Sequence, residues 1–262
     1  MNKVLSMLFF VLLSFCSFGQ KAGPQHTSVW APGTIKIDGT SSEWNGKYEA
    51  FDKKNKLYYT ISNDDKNLYL IVHTAEPTTI NKIYVGGITF TISSVGQSKN
   101  IPVSITYPII KAINNFSYLQ AKDTYDKFKK NGIVNAENIK DLIRLKNQQF
   151  NSSYKELKAN GIKEFDDPVM SIYNTEGIKV KALFDINLTY TYELALPLKY
   201  LQTILNSLDR LSYNIKFNGA DRDGRNPYPQ AHLIRPDGSE DMTHLYTENP
   251  TDFSGQYTLA KK

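Results

Sequence analysis

The sequence predicts a mainly β protein, an antiparallel β-sandwich interrupted by one inserted helical hairpin. Three observations carry that prediction. Many short runs alternate apolar and polar side chains, the period of a half-buried strand. Turn residues separate those runs, with no strand–helix–strand rhythm of a parallel sheet and no internal repeat. One stretch, from about residue 109 to 161, switches to helical spacing.

Taken from the start, residues 1–19 have the make-up of a secretory signal peptide. Lys3 supplies a positive beginning, and residues 4–18 form an almost uninterrupted apolar run too short to span a bilayer comfortably. Ser17 and Gly19 are the small residues that a cut after Gly19 requires. A lipoprotein signal acylating Cys16 would want a small residue before the cysteine, and Phe15 stands there. The expectation is export to the periplasm, cell surface or medium. Cys16 is the only cysteine, so cleavage would leave no thiol, no disulfide and no cysteine metal site. The remaining chain of about 240 residues can bury a core as one domain. It contains no second apolar run long enough for a transmembrane segment.

Charge narrows the partners. There are 31 basic and 26 acidic residues, a formal charge of +5. The excess is thin and scattered, and Lys-rich pieces such as "DKFKK" at 126–130 interleave with acids at helical spacing. That is the pattern of a solvated face, so no nucleic-acid partner is expected.

Residues 20–34 carry Gly, Pro and polar residues without periodicity and read as a leader arm; the sandwich domain is expected over 35–262. "LYYTIS" (57–62) and "NLYLIVHT" (67–74) flank Asn63-Asp64-Asp65-Lys66 and predict a hairpin, with Leu68, Leu70 and Val72 filling one face. "KIYVGGITFTIS" (82–93) and "IPVSITY" (101–107) predict further strands. Within 109–161, Tyr118, Ala121, Tyr125 and Phe128 make one helical stripe, and Ile139, Ile143, Phe150, Tyr154 and Leu157 a second. Asn135 is the expected N-cap, and Gly132 and Gly161 are the expected stops. Strands return at "VMSIYNT" (169–175) and "IKVKALFDI" (178–186). In "TYTYELALPL" (189–198), Tyr190, Tyr192, Leu194 and Leu196 line one face while Thr191, Glu193 and Ala195 line the other. "LKYLQTIL" makes one or two helical turns, and "LSYNIKFNGA" (211–220) and "FSGQYTLA" (253–260) complete the strands.

Four of these pieces, in order, carry a resemblance: "IKIDG…EW", "YYTISNDDKNLYLIV", "YTYELALPLKYL" and "FSGQYTLA". Together they are similar to carbohydrate-binding module family nine, within the DOMON-like group of immunoglobulin-like β-sandwiches, over about 35–95 and 170–262. The resemblance implies a non-catalytic module that holds an oligosaccharide or polysaccharide and often a structural calcium. Asp38-Gly39 then makes a turn that needs glycine's positive φ, and Trp44 plugs the end of the sandwich. The family uses paired tryptophans for sugar. Here Trp30 and Trp44 are the only tryptophans, and Trp44 belongs to the fold motif, so no pair carries over.

Sugars are held by aromatic rings on their apolar faces, with amides, carboxylates and guanidinium groups on their hydroxyls. Trp30, Tyr228 and Tyr246 are candidates for a replacement platform; for Trp30 the competing role is an anchor tying the arm to the sandwich. In "GADRDGRNPYPQ" (219–230), Asp221, Asp223 and Asn226 surround Gly224 in an order echoing oxygen-ligand calcium loops, without the downstream bidentate glutamate. A plain Asx-Gly turn is the alternative. Arg222 and Arg225 could face a ligand hydroxyl or a carboxylate. His26, His73, His232 and His244 lack metal-ligand spacing, and a haem-binding redox module would have to draw on these with Met170 or Met242. No nucleophile motif or phosphate loop appears, and Glu193 and Asp185 read as strand-face and strand-end decoration rather than a glycosidase pair. The competing function is a structural or protein-interaction module on the same sandwich without sugar binding.

Overall fold

Residues 23–96, 100–110, 118–130, 136–205, 209–219, 238, 246–247 and 249–262 are described by the computed structural model. The predicted signal peptide lies outside them, as do the caps Asn135 and Gly132.

The described chain is a sandwich of two antiparallel sheets. One is ordered β1 (Ala50–Asp52), β2 (Leu57–Asn63), β3 (Asn67–Thr74), β9 (Tyr190–Pro197) and β8 (Lys179–Phe184). The other is ordered β11 (Thr251–Thr258), β10 (Arg210–Phe217), β4 (Ile88–Ser94), β5 (Val103–Tyr107), β6 (Glu156–Asn160) and β7 (Val169–Ser171). Period-two alternation places Leu68, Leu70 and Val72 of β3, and Tyr190, Tyr192, Leu194 and Leu196 of β9, in one core. Facing them are Phe90 and Ile92 of β4, Ile105 of β5 and Ile215 of β10. Each such side chain taken fully from water contributes about 1.5–3 kcal/mol.

Helical segments depart from β structure. α1 (Pro77–Gly86) occupies the first half of the segment predicted as a strand over 82–93. Pro77 sits in its first turn, where a missing N–H costs nothing, and Ile80, Ile83 and Tyr84 bury one helical face. Strand β4 begins only after Gly86-Gly87. The inserted hairpin consists of α2 (Tyr118–Lys130) and α3 (Ala136–Ser153). Ala121, Tyr125, Ile139, Ile143 and Phe150 are buried, as their spacing predicts.

The insertion ends earlier than the predicted 161. Leu157 fits the helical stripe by spacing, yet Leu157 and Ala159 also alternate with Lys158 and Asn160. Pairing with β5 on one side and β7 on the other engages their backbone, so they form β6. Gly161 therefore ends a strand. Its φ of 77° is left-handed, and a Cβ there would fall on the carbonyl of Pro102. The strand predicted over 169–175 is three residues long, and Tyr173 beyond it is 75% exposed. "LKYL" makes a 3-10 turn over Leu198–Leu201.

The two outer faces differ. Ala31, Ile35 and Ile37 pack on Tyr69 and Ala195, while Trp44 and Tyr48 pack on Ile71, so residues 31–48 roof the five-stranded sheet. Trp44 is thus a weight on the outer face and not a plug at the sandwich end. Its 3-10 turn (Ser42–Trp44) points the indole at a strand surface that lies outside the core. On the six-stranded sheet the outward positions are polar and half-exposed, including Thr89, Thr91, Ser93, Ser104, Thr106, Ser212 and Asn214.

Candidate functional site: a rim cavity beside a clasped leader

The "IDG…EW" stretch forms a clasp on Glu193. Backbone N–H groups of Asp38 and Gly39 donate to Glu193 Oε2 at 3.0 and 2.9 Å, and Trp44 Nε1 donates to Oε1 at 3.4 Å. Gly39 has φ of 86°, and a Cβ there would run into Leu183, so glycine lets the turn approach the sheet closely. Burial raises the Glu193 carboxyl to about 7, with the three donors pulling the other way. Beside it, Tyr48 stacks on His73 and Tyr58, ring centroids 5.0 and 5.7 Å away. Burial lowers the His73 imidazole, whose Nδ1 lies 3.0 Å from Thr191 Oγ1. Asp185 Oδ1 accepts N–H groups of Asn187 and Thr189 and caps a turn. Both acids are therefore engaged by backbone amides. His73, on β3, and Met170, on β7, lie on different sheets.

The leader is stitched along β2. Gly23 bridges Phe51, Trp30 makes a parallel bridge with Asn63, and Gln25 lies buried against Ile61. Trp30 is half-buried at the Asn63 end of β2. Tyr246 lies at the opposite end, its hydroxyl donating to Asn55 Oδ1 at 3.2 Å and its ring 3.8 Å from Lys82 Nζ. The length of β2, about 20 Å at strand rise, separates them, so Trp30 and Tyr246 do not form one platform. Tyr228, Arg222, Arg225, Asp221, Asp223 and Asn226 lie outside the described residues, as do His232, His244 and Met242. Among the described residues no cluster of three or more His, Asp or Glu could hold a metal ion.

A cavity with aromatic lining lies elsewhere among the described residues. Where β1 and the leader face β11 across the open side, a cavity of about 240 Å³ is lined by Gly23, Pro24, Phe51, Asp52, Lys53, Tyr59, Phe253 and Ser254. Tyr59 and Phe253 rings lie 4.9 Å apart, and Tyr59 is fully buried as the floor. Phe253 is half-buried beside Tyr59. Phe51 borders the cavity, but its ring lies 4.7 Å from that of Tyr58, its partner in register, on the outer face of the sheet. Asp52 Oδ2 accepts from the backbone and side-chain amides of Asn55 at 2.9 and 2.7 Å, which fixes the carboxylate at the cavity edge. The Lys53 side chain is exposed. Apolar rings below, with a carboxylate, an ammonium and a hydroxyl around them, give a surface that can stack on one flat ring and hydrogen-bond its substituents. The volume suits a small ligand unit rather than a drug-sized one. Sequence reasoning missed these residues. The signals were "AFDKK" and "TDFSG", each an aromatic next to an acid, which only the folded sheets bring together.

Comparison with family models, with curated proteins and with solved structures finds no match.

Proposed function

We propose that this chain is an exported, non-catalytic carbohydrate-binding β-sandwich module, akin to carbohydrate-binding module family nine, with its sugar site in the rim cavity. The observation that supports this reading is the cavity's pairing of Tyr59 and Phe253 with Asp52, Lys53 and Ser254. Stacking with a few hydroxyl contacts gives affinities on the order of micromolar to millimolar, since desolvation of sugar and protein offsets much of the polar gain. A structural calcium at Asp221, Asp223 and Asn226 belongs to the same reading and rests on the sequence motif alone.

The test is a glycan array on the full chain followed by titration calorimetry with the best ligand. Phe253→Ala should weaken binding by about tenfold, equal to 1.4 kcal/mol, with the melting temperature measured alongside. Lys53→Ala, at an exposed position, should weaken it less and leave melting unchanged. Binding that is indifferent to both substitutions moves the site away from the rim. A protein that binds no arrayed glycan is instead a structural or protein-interaction module.

A further inference from the structure

The outward face of the six-stranded sheet is built in rows. The register aligns Ser254, Asn214, Thr91, Ser104 and Asn160 into one line crossing β11, β10, β4, β5 and β6. Every member is a neutral hydroxyl or carboxamide, types that both donate and accept; Asn214 Nδ2 already donates to Asp252 Oδ2 at 2.7 Å and to Ser254 Oγ at 2.9 Å. The charges lie in the neighbouring row, where Lys216 is paired in register with Asp252 and Lys158 stands further along. On the other side of the central line, Gln256, Ser212 and Ser93 are in register. Between those two rows the surface dips into an open depression of about 350 Å³. Ser254 lines both this depression and the rim cavity.

The chemistry restricts what could lie there. Nucleic acid or an acidic polymer would need a cationic face, and the central line carries no charge. A protein partner would bury an apolar centre, and these outward positions offer hydroxyls and amides instead. A neutral polyol matches, because each of its hydroxyls can pair with a group that both gives and takes a hydrogen bond. The spacing matches too. Side chains along a row recur once per strand, about 4.8 Å apart, close to the advance of one sugar ring in an extended chain.

The geometry points to this face as a track for the extended chain of a neutral polysaccharide, entered from the rim cavity through Ser254 and running across the strands. It deepens the carbohydrate reading and rests on it. No bond is made or broken on the track, which serves to hold further sugar units in line with the one at the rim.

The experiment measures binding of glucose, xylose and mannose against the corresponding linear β-1,4-linked hexasaccharides, for the full chain and for a Thr91→Val/Ser212→Ala double variant. Valine keeps the shape and strand preference of threonine, so the fold is kept and melting checks it. The wild type should bind one hexasaccharide at least about tenfold more tightly than its monosaccharide. The variant should lose that ratio while its monosaccharide affinity is unchanged. Equal affinity for monosaccharide and hexasaccharide overturns the track and leaves the rim site standing. A chain-length preference that survives in the variant also overturns it, and no binding to any of the six sugars overturns both.

Discussion

Glu193 sits on the outward side of β9, yet residues 38–44 lie over it and leave it 1% exposed. Its carboxyl titrates at about 7 where the ordinary value is 4.5, because the anion is short of water. The folded-state value lies above the unfolded one, so the protonated form favours the fold. That contribution is fully present below about pH 4.5 and is lost as pH rises through about 7. A shift of this size corresponds to a change on the order of 3 kcal/mol across the window. Melting temperature should therefore fall between pH 5 and 8, and Glu193→Gln should flatten that slope, because glutamine still accepts from Asp38 and Gly39 without a charge. A wild-type melt that does not change over this range would refute the clasp as a titrating group. The alternation in "TYTYELALP" was enough to place Glu193 on the outer side of its strand. It could not show the partner, because Asp38 is 155 residues away and meets it only after the sheet has formed.

The leader shows the same limit for a whole segment. Without periodicity it was legible only as an extended arm, since its attachment runs through one side chain rather than through a ladder. Gln25 donates to Ile61 O at 2.8 Å and accepts from Ile61 N at 2.7 Å, replacing the neighbouring strand that three-residue β1 is too short to provide. Gln25→Ala leaves a buried N–H and C=O of β2 without partners, which should cost about 1–3 kcal/mol. Hydrogen exchange should show it first at the Ile61 amide, with the β3 and β9 amides still protected; unchanged exchange at Ile61 would mean that the arm is held by its other contacts. Helix α1 was misread for a related reason. "KIYVGG" is rich in β-formers, and only burial of Ile80, Ile83 and Tyr84 together decides for the helix. The rim cavity was the least legible of all, because Tyr59 and Phe253 are far apart in the sequence and come from different sheets.

At the scale of the molecule, the antiparallel sandwich followed from alternation and turns, while the strand order and the insertion's end did not, the latter because Leu157 suits both periods. A larger feature follows from Asn63. Its Oδ1 accepts from Ala260 N at 2.7 Å and from Tyr257 Oη at 2.9 Å, and its Nδ2 donates to Ala260 O at 3.1 Å. The one Tyr257 hydroxyl proton is shared between Asn63 Oδ1 and Val29 O at 3.0 Å, its oxygen accepts from Val29 N at 3.2 Å, and the backbone of Asn63 bonds to Val29 and Ala31. One asparagine thus ties the first described segment to the last. Topologically the described fold is close to a closed ring, with residues 23–31 and 257–260 meeting at Asn63. From Gly23, opposite Phe51, to Ala260, beside Asn63, the path along β2 is about 20 Å, which six to eight linker residues can span. A circular permutant joined there, and reopened between the exposed residues Lys163 and Glu164, should keep the wild-type circular dichroism spectrum and a single cooperative melt. Loss of cooperativity would mean that the cut itself is part of how the ring is assembled.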